Sequence, residues 1–463
     1  MNIIIVGAGK VGLSLAASLL KENHDITVVD TDPQVISRVS STLDVMGFQG
    51  NGATYDTLAE VGVTTCELLI ATTESDEVNI LCCMLAHNMW MVSRDEQERN
   101  NHPIRTVARV RNPEYHSKSD FFQQHMGISY IINPERLAAQ EVARILHLPS
   151  AKRVEMFASG KAEMVAVKLP KGSPFLGVAL KDMREKLGIQ VLVCAVERDG
   201  HADIPAGDYV PQADDTLYIM GAPSELMNTL RRVHLSTSTA RSTMIVGGSR
   251  TAYYLASILS RDGVEVKLLE RDPARAKELA QELPGATVIE GDASNHHLLL
   301  EEGVAHVDSF VALTGMDESN ILSAIYASQF SLKKVIAKVN NDDLLNLTKG
   351  TSLDTTISPK TVTVNHITRF ARSITLDAGH KGARSLYKLI NSQLEVLEFR
   401  AEKEGEYLRT TLKEMKTRPH LLVAAIVRNR KVIIPGGDDM ILPEDSVLIV
   451  TGNPLTSLAD ILE

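Results

Sequence analysis

An α/β fold is predicted for this chain: two tandem doubly wound parallel-sheet lobes, each followed by a small α+β lobe. Three observations carry that expectation. The chain repeats itself, strands alternate with helices in the early part of each copy, and each copy opens on a strand running into a glycine loop. At 463 residues the chain exceeds what one hydrophobic core serves, and length alone implies about three or four structural units.

The repeat comes first. Residues 3–8 read IIIVGA and residues 243–248 read TMIVGG. At that spacing Asp30 meets Glu270, Asp32-Pro33 meets Asp272-Pro273, and Ala53-Thr54 meets Ala293-Ser294. One inserted residue later, Asp76-Glu77-Val78-Asn79-Ile80-Leu81 meets Asp317-Glu318-Ser319-Asn320-Ile321-Leu322. Val107 to Val110 then matches Ile336 to Val339, and Ile132-Asn133-Pro134 matches Ile357-Ser358-Pro359. CAVERDGHADIPAGD (194–208) resembles AAIVRNRKVIIPGGD (424–438). So many segments in register mark a duplication.

Within copy one, strand Asn2–Val6 precedes an amphipathic helix over 10–22, and strand Asp25–Asp30 precedes a helix opened by Asp32-Pro33. A short strand near Val45–Gln49 follows, then a helix from Thr54, strand Leu68–Ala71, a helix from Glu77 and strand Thr106–Val110. Strands separated by helices give parallel pairing with right-handed crossovers. Asn133 suits an N-cap and Pro134 a first turn, with Leu137, Val142, Ile145 and Leu146 as the face for burial. After residue 151 short β-rich runs surround one expected helix. The expected boundaries are 1–132 and 243–357 for the parallel-sheet lobes. The connecting helices and small lobes take 133–234 and 358–463, with a Ser/Thr-rich linker at 235–242. Residues 93–105 have no counterpart in copy two and read as a solvated loop or a contact loop for a partner.

Composition narrows the function. Net charge is 48 − 58 = −10, which argues against nucleic acid or anionic lipid as the main partner. No apolar run approaches the ~18 residues of a membrane span, and MNIIIVGAG lacks the basic start of a signal peptide. Four cysteines without CxxC spacing fit a reducing compartment and no zinc site.

Gly7-Ala8-Gly9-Lys10-Val11-Gly12 follows a strand and opens a helix, the context that makes GxGxxG informative. Gly7 serves the turn, Gly9 the approach of a pyrophosphate, and Gly12 close helix–strand packing. The helix N-terminus presents amide N–H groups to phosphate. This is a Rossmann-like arrangement. Asp30, ending the second strand, can accept from ribose hydroxyls and would repel the extra phosphate of NADP. Asn51, Gly52, Thr73, Glu74 and Arg109 are expected at the same strand ends, with Asp76 as a helix cap. Copy two supplies Gly247, Gly248, Ser249, Arg250, Thr251, Glu270 and Asp292. Ser249 stands where the second glycine belongs, so the second site reads either as occupied with help from Arg250 or as empty. A bare structural turn is the alternative for both.

No Tyr-xxx-Lys pair, HExxH motif or GxSxG elbow occurs. The pair His296-His297 projects in different directions from a helix start, and Cys82-Cys83 reads as helix core. No catalytic and no metal residues are assigned. An NAD-dependent oxidoreductase with an unrecognised catalytic group, and a soluble nucleotide-binding scaffold, are the competing readings.

The whole chain resembles the regulatory subunits of Trk-type potassium uptake, which carry two RCK (KTN) modules in tandem. The resemblance rests on GAGKVG with Asp30, on ATTESDEVN and ALTGMDESN, on ARVRNPEY, and on lobes ending PQADDTLYIMG and LPEDSVLIVTG. It implies a peripheral cytoplasmic regulator on the inner face of the membrane. Such a subunit forms a homo-oligomeric ring, expected as a tetramer, beneath a potassium-translocating subunit and couples nucleotide binding to gating. NAD⁺ or NADH is the implied ligand, with ATP and ADP as further candidates. The implied binding positions are Gly7 through Val11, Asp30, Thr73-Glu74 and Arg109, then Gly247 through Thr251 and Glu270.

Overall fold

A computed structural model describes residues 1–93, 104–148, 151–348 (except 159, 199, 234 and 236–239) and 353–462 (except 354, 378–384, 390–392, 409, 454 and 456). The expected linker residues 236–239 and most of loop 93–105 lie outside the described residues.

The first sheet contains β1 (Asn2–Val6), β2 (Asp25–Asp30), β3 (Met46–Gln49), β4 (Leu68–Ala71), β5 (Arg105–Arg109) and β6 (Tyr130–Ile132). All pairs are parallel, in the order β3-β2-β1-β4-β5-β6. β1 and β4 are apolar throughout their inner length because helices cover both faces of a parallel sheet. The sixth strand was not expected from the sequence: three residues are too few to show a period. The order reverses between β1 and β4, and there the glycine loop leaves the sheet.

The first small lobe is the antiparallel sheet of β7 (Ala151–Phe157), β8 (Ala162–Lys168), β9 (Leu192–Arg198), β10 (His201–Asp203) and β11 (Thr216–Gly221). It carries two helices, Leu180–Leu187 and Pro223–Arg232, rather than the single expected one. The short Pro223 helix is highly polar in sequence, and only its Leu226, Thr229 and Leu230 are buried.

Copy two repeats the plan. Its parallel sheet holds β12 (Ser242–Val246), β13 (Glu265–Glu270), β14 (Ala286–Glu290), β15 (Ser309–Ala312), β16 (Lys334–Lys338) and β17 (Thr355–Ile357), in the order β14-β13-β12-β15-β16-β17. Its antiparallel sheet holds β18 (Ser385–Leu389), β19 (Leu394–Arg400), β20 (Leu421–Arg428), β21 (Lys431–Ile433) and β22 (Ser446–Thr451). The two small lobes share a core in which Phe157, Met164 and Tyr218 meet Leu394, Val396 and Leu448.

The connecting helices are exchanged between the copies. Helix Pro134–His147 opens as expected, with Asn133 Oδ1 accepting from Arg136 N at 2.9 Å. Its Val142, Ile145 and Leu146 are buried, however, with Leu255 and Leu259 of helix Arg250–Arg261 in copy two. In return helix Pro359–Asp377 sets Val364, Ile367 and Ala371 into the copy-one core with Leu15 and Leu19. Each such aliphatic side chain contributes roughly 1.5–3 kcal/mol when fully buried, so the exchange locks the two sheet lobes together. Polar contacts fix its register. Arg372 Nε donates to Glu22 Oε2 at 2.9 Å, Tyr130 stacks on Phe370 with centroids 5.2 Å apart, and Asn133 Nδ2 donates to the Tyr254 hydroxyl at 3.1 Å.

His366 lies on the exchanged helix. Burial, then the nearby Arg369 and Arg144 guanidinium groups, push its pKa from 6.5 down to about 4. The unfolded chain therefore binds a proton below pH 6.5 that the folded chain refuses until about pH 4. Stability present above pH 6.5 is lost as pH falls toward 4, by about 2 kcal/mol at pH 5 from this group alone. Denaturant titrations at pH 7.5 and 5 should show this loss in the parent and its reduction in His366→Leu; equal losses would refute it.

Candidate functional site

β1 is followed by Gly7, whose φ of +97° and close approach to Thr73 (an added Cβ would lie 2.8 Å from its N) admit only glycine. At Gly12 an added Cβ would lie 1.9 Å from Gly7 O, so its role is packing of helix Lys10–Leu20 on the turn. Gly9 differs: an added Cβ would meet nothing within 4 Å. Gly9 is also the N-cap of that helix, with no side-chain cap and no acidic residue in the first turn. The amide donors at this end are left for another acceptor, and the space above them is open.

Around that space lies a cavity of about 1120 Å³. Gly7, Ala8, Gly9, Lys10 and Val11 line it, as do Asp30, Asn51, Gly52, Thr73, Glu74 and Arg109. Every expected copy-one residue except Gly12 thus reaches one cavity. Asp30 holds the loop: Oδ2 accepts from Ala8 N at 2.7 Å and Oδ1 from Asp32 N at 3.0 Å. A carboxylate has about four lone-pair sites, so acceptor capacity remains for a ribose hydroxyl. Thr73 Oγ1 donates to Asn79 Oδ1 at 2.8 Å and can meet a ligand only as an acceptor.

Asp76 and Asn79 hold the strand ends. Asp76 Oδ2 accepts from Arg111 N at 2.9 Å and Asn112 N at 2.7 Å, while Asn79 Nδ2 donates to Arg109 O at 2.9 Å. Asp317 and Asn320 make the same bonds in copy two, to Asn340 N, Asn341 N and Lys338 O. The shared DExN pattern is thus a clamp between the fourth and fifth strands. Asp76 caps by bonding across to a neighbouring loop rather than at its own helix.

Arg109 enters with Nη1 3.3 Å from Thr73 O and with Nε buried and lacking a hydrogen-bond partner. Burial, then the Arg111 guanidinium, disfavour its charge. An anion in the cavity would relieve both penalties, and the uncapped helix end beside it would receive the same anion. The residues present therefore fit the pyrophosphate of a dinucleotide.

Copy two turns toward the same cavity. Ser249, Arg250 and Thr251 line it, and so do Lys338 and Lys360. Gly247, Gly248, Glu270 and Asp292 are not among its lining residues. Ser249 Oγ accepts from Ala252 N at 3.3 Å and caps its own helix. Glu270 accepts from Gly248 N, and Arg275 Nε donates to Gly248 O at 3.1 Å. An added Cβ at Gly248 would sit 2.6 Å from Leu279 Cδ1. The second helix end is thus capped by Ser249, with Arg275 and Leu279 against Gly248, where the Gly9 end carries no side-chain cap.

Among the cavity residues missed from sequence are four charged ones, Arg111, Glu135, Lys338 and Lys360. Lys338 was legible, since the repeat aligns it with Arg109. Glu135 and Lys360 were not, because they lie on the exchanged helices; Arg111 lies just past β5, its backbone held by Asp76. Arg111 Nε donates to Glu135 Oε1 at 2.7 Å, and Glu135 Oε2 is buried without a hydrogen-bond partner. Lys338 has its charge disfavoured by burial, opposed by Asp317 and Glu135. His296 and His297 sit at a helix start after the Asn295 cap, and no cluster of three metal-ligating side chains occurs among the described residues. Nor is any described helix long and apolar enough to cross a membrane.

Comparison with known proteins agrees with this architecture. The TrkA-N domain family matches residues 3–134 and 243–359, and the TrkA-C domain family matches 164–234 and 396–455. The Trk system potassium uptake protein TrkA of Vibrio alginolyticus is 32% identical over 456 residues, 98% of this chain and 96% of that one. TrkA homolog 1 of Methanosarcina mazei is 32% identical over 451 residues, 97% of each. Among solved structures, the GsuK channel bound to NAD superposes with a TM-score of 0.62 at 17% identity, covering 97% of this chain and 76% of that one. At that identity the likeness is one of fold. With each domain pair present twice and both relatives aligned nearly end to end, the chain belongs to the TrkA family of Trk potassium-uptake proteins.

Proposed function

We propose that the chain is a nucleotide-sensing regulatory subunit that binds NAD⁺ or NADH in the copy-one cavity and gates a Trk-type potassium-translocating membrane subunit. One observation carries the reading: the cavity is built from both copies. A ligand bound there touches Asp30 and the Gly9 loop on one side and Arg250 and Lys338 on the other. Its binding energy therefore depends on how the two copies sit, and it can bias that arrangement. Regulation needs nothing more, and no catalytic group is assigned to the chain. ATP and ADP present the same phosphate chemistry to Arg109 and the helix end and are competing ligands. The −10 charge favours docking on protein over lipid. Assembly into a homotetramer on the inner face of the membrane would match a symmetric pore.

Asp30 supplies the test. Losing a charge-assisted hydrogen bond costs about 1.5–3 kcal/mol, so Asp30→Ala should weaken NADH binding roughly ten- to a hundred-fold. The parent should bind NADH well above NADPH. In potassium-uptake assays with the membrane subunit, Asp30→Ala should blunt the nucleotide response more than Glu270→Ala. Equal affinity for NADH and NADPH, or a larger effect of Glu270→Ala, would overturn the assignment.

A further inference from the structure

The turn that opens the connecting helix faces two cavities. Pro134 and Glu135 line the nucleotide cavity, while Asn133, Arg136, Leu137 and Gln140 line a second one of about 410 Å³. This second cavity lies along β6, the edge strand of the first sheet, and is closed by the short helices Pro113–Ser117 and Ser119–His125. We propose that it is a binding site for a small oxyanion, a carboxylate or phosphate, held by Arg136 and His116.

The polar groups around it favour that occupant. Arg136 forms no ion pair with a carboxylate among the described residues, and Asp120, also exposed, is the one carboxylate in the lining. His116 lines the cavity with Nδ1 buried and unpartnered. Burial and the Arg136 charge both hold its imidazole neutral. A bound oxyanion would pair with the guanidinium and give the ring an acceptor, which offsets the Arg136 charge and favours the imidazolium against the burial that opposes it. Gln140 adds a side-chain amide, while the Ser119 hydroxyl already donates to His116 O, and the volume lies within the range of small-molecule sites.

The duplication provides an internal comparison. In the register set by the two Asp clamps, His116 corresponds to Leu345, and in the register of Pro134 and Pro359, Arg136 corresponds to Thr361. Both polar groups belong to copy one alone, so neither is demanded by the fold that the copies share. The site also lies on the turn that lines the nucleotide cavity. An occupant would therefore restrain Asn133 and Arg136, and through the same backbone the position of Glu135.

Calorimetric titration of the full chain with malonate and with inorganic phosphate tests this, with the nucleotide cavity first saturated by NADH so that heat from Arg109 is excluded. Saturable binding with Kd at or below about 1 mM is expected for at least one anion. The pair of titrations tells a carboxylate site from a phosphate site. The double variant His116→Leu with Arg136→Thr, which borrows the copy-two residues, should lose at least tenfold in that affinity. It should keep NADH binding in anion-free buffer within twofold. As a readout in the unmutated protein, histidine-selective NMR should show the His116 ring moving toward imidazolium as anion is added. No saturable binding by either anion, unchanged affinity in the double variant, or an unmoved His116 resonance at saturation would overturn the proposal.

Discussion

Gly9→Val is expected to abolish NADH binding while leaving the folded protein nearly as stable as the parent. The two outcomes separate because an added Cβ at Gly9 meets no protein atom within 4 Å, and the residue's φ of −69° and ψ of −173° suit any L-amino acid. The side chain would instead occupy the space above the helix N-terminus. A loss of at least a hundredfold in affinity, about 2.7 kcal/mol, is expected. The change in stability should stay within about 1 kcal/mol, the usual scale for a poor N-cap. Gly12→Val, by contrast, drives Cβ against Gly7 O and should damage fold and binding together. Titration of both variants with NADH, alongside thermal melts, distinguishes a ligand position from a packing position. Retained binding in Gly9→Val would place the nucleotide elsewhere.

Asp215→Ala should produce the largest loss of stability in the small lobes. Asp215 is fully buried, and four donors converge on it. Arg198 Nε reaches Oδ1 at 2.7 Å and Nη2 reaches Oδ2 at 2.9 Å, while the Tyr209 hydroxyl and Gln212 N reach Oδ2 at 2.8 and 2.9 Å. Burial alone would raise this carboxyl's pKa, but the hydrogen bonds from Arg198, Gln212 and Tyr209 outweigh it and hold the pKa below the ordinary value. Truncation leaves those donors facing a void, at a cost of about 3 kcal/mol. Hydrogen exchange in β8, β9 and β11 should accelerate by roughly a hundredfold, with β1 through β5 little changed. The second small lobe repeats the device, Arg428 Nη2 donating to Asp445 Oδ2 at 2.7 Å, so Asp445→Ala should loosen that lobe in turn. Unchanged exchange in either case would show the pair to be dispensable.

Local rules were enough for much of this molecule. Gly7, Gly9 and Gly12 after an apolar strand, Asp30 at the end of the next, and Asn133-Pro134 opening a helix are patterns set by neighbours a few residues away. Spacing along the chain therefore reveals them. The duplication was legible for the same reason, since it is a property of the string itself. What sequence could not determine is which copy each connecting helix packs against. Val142, Ile145 and Leu146 declare an apolar face but carry no address, because burial is non-directional and either sheet lobe offers a matching surface. Only the tertiary structure pairs that face with Leu255 and Leu259. With that exchange come the placement of Arg250, Lys338 and Lys360 opposite the Gly9 loop and the approach of Glu135 to Arg111. The chemistry of each site residue was local and readable. Their meeting in one cavity was not, because it depends on long-range packing between surfaces that the sequence marks only as apolar.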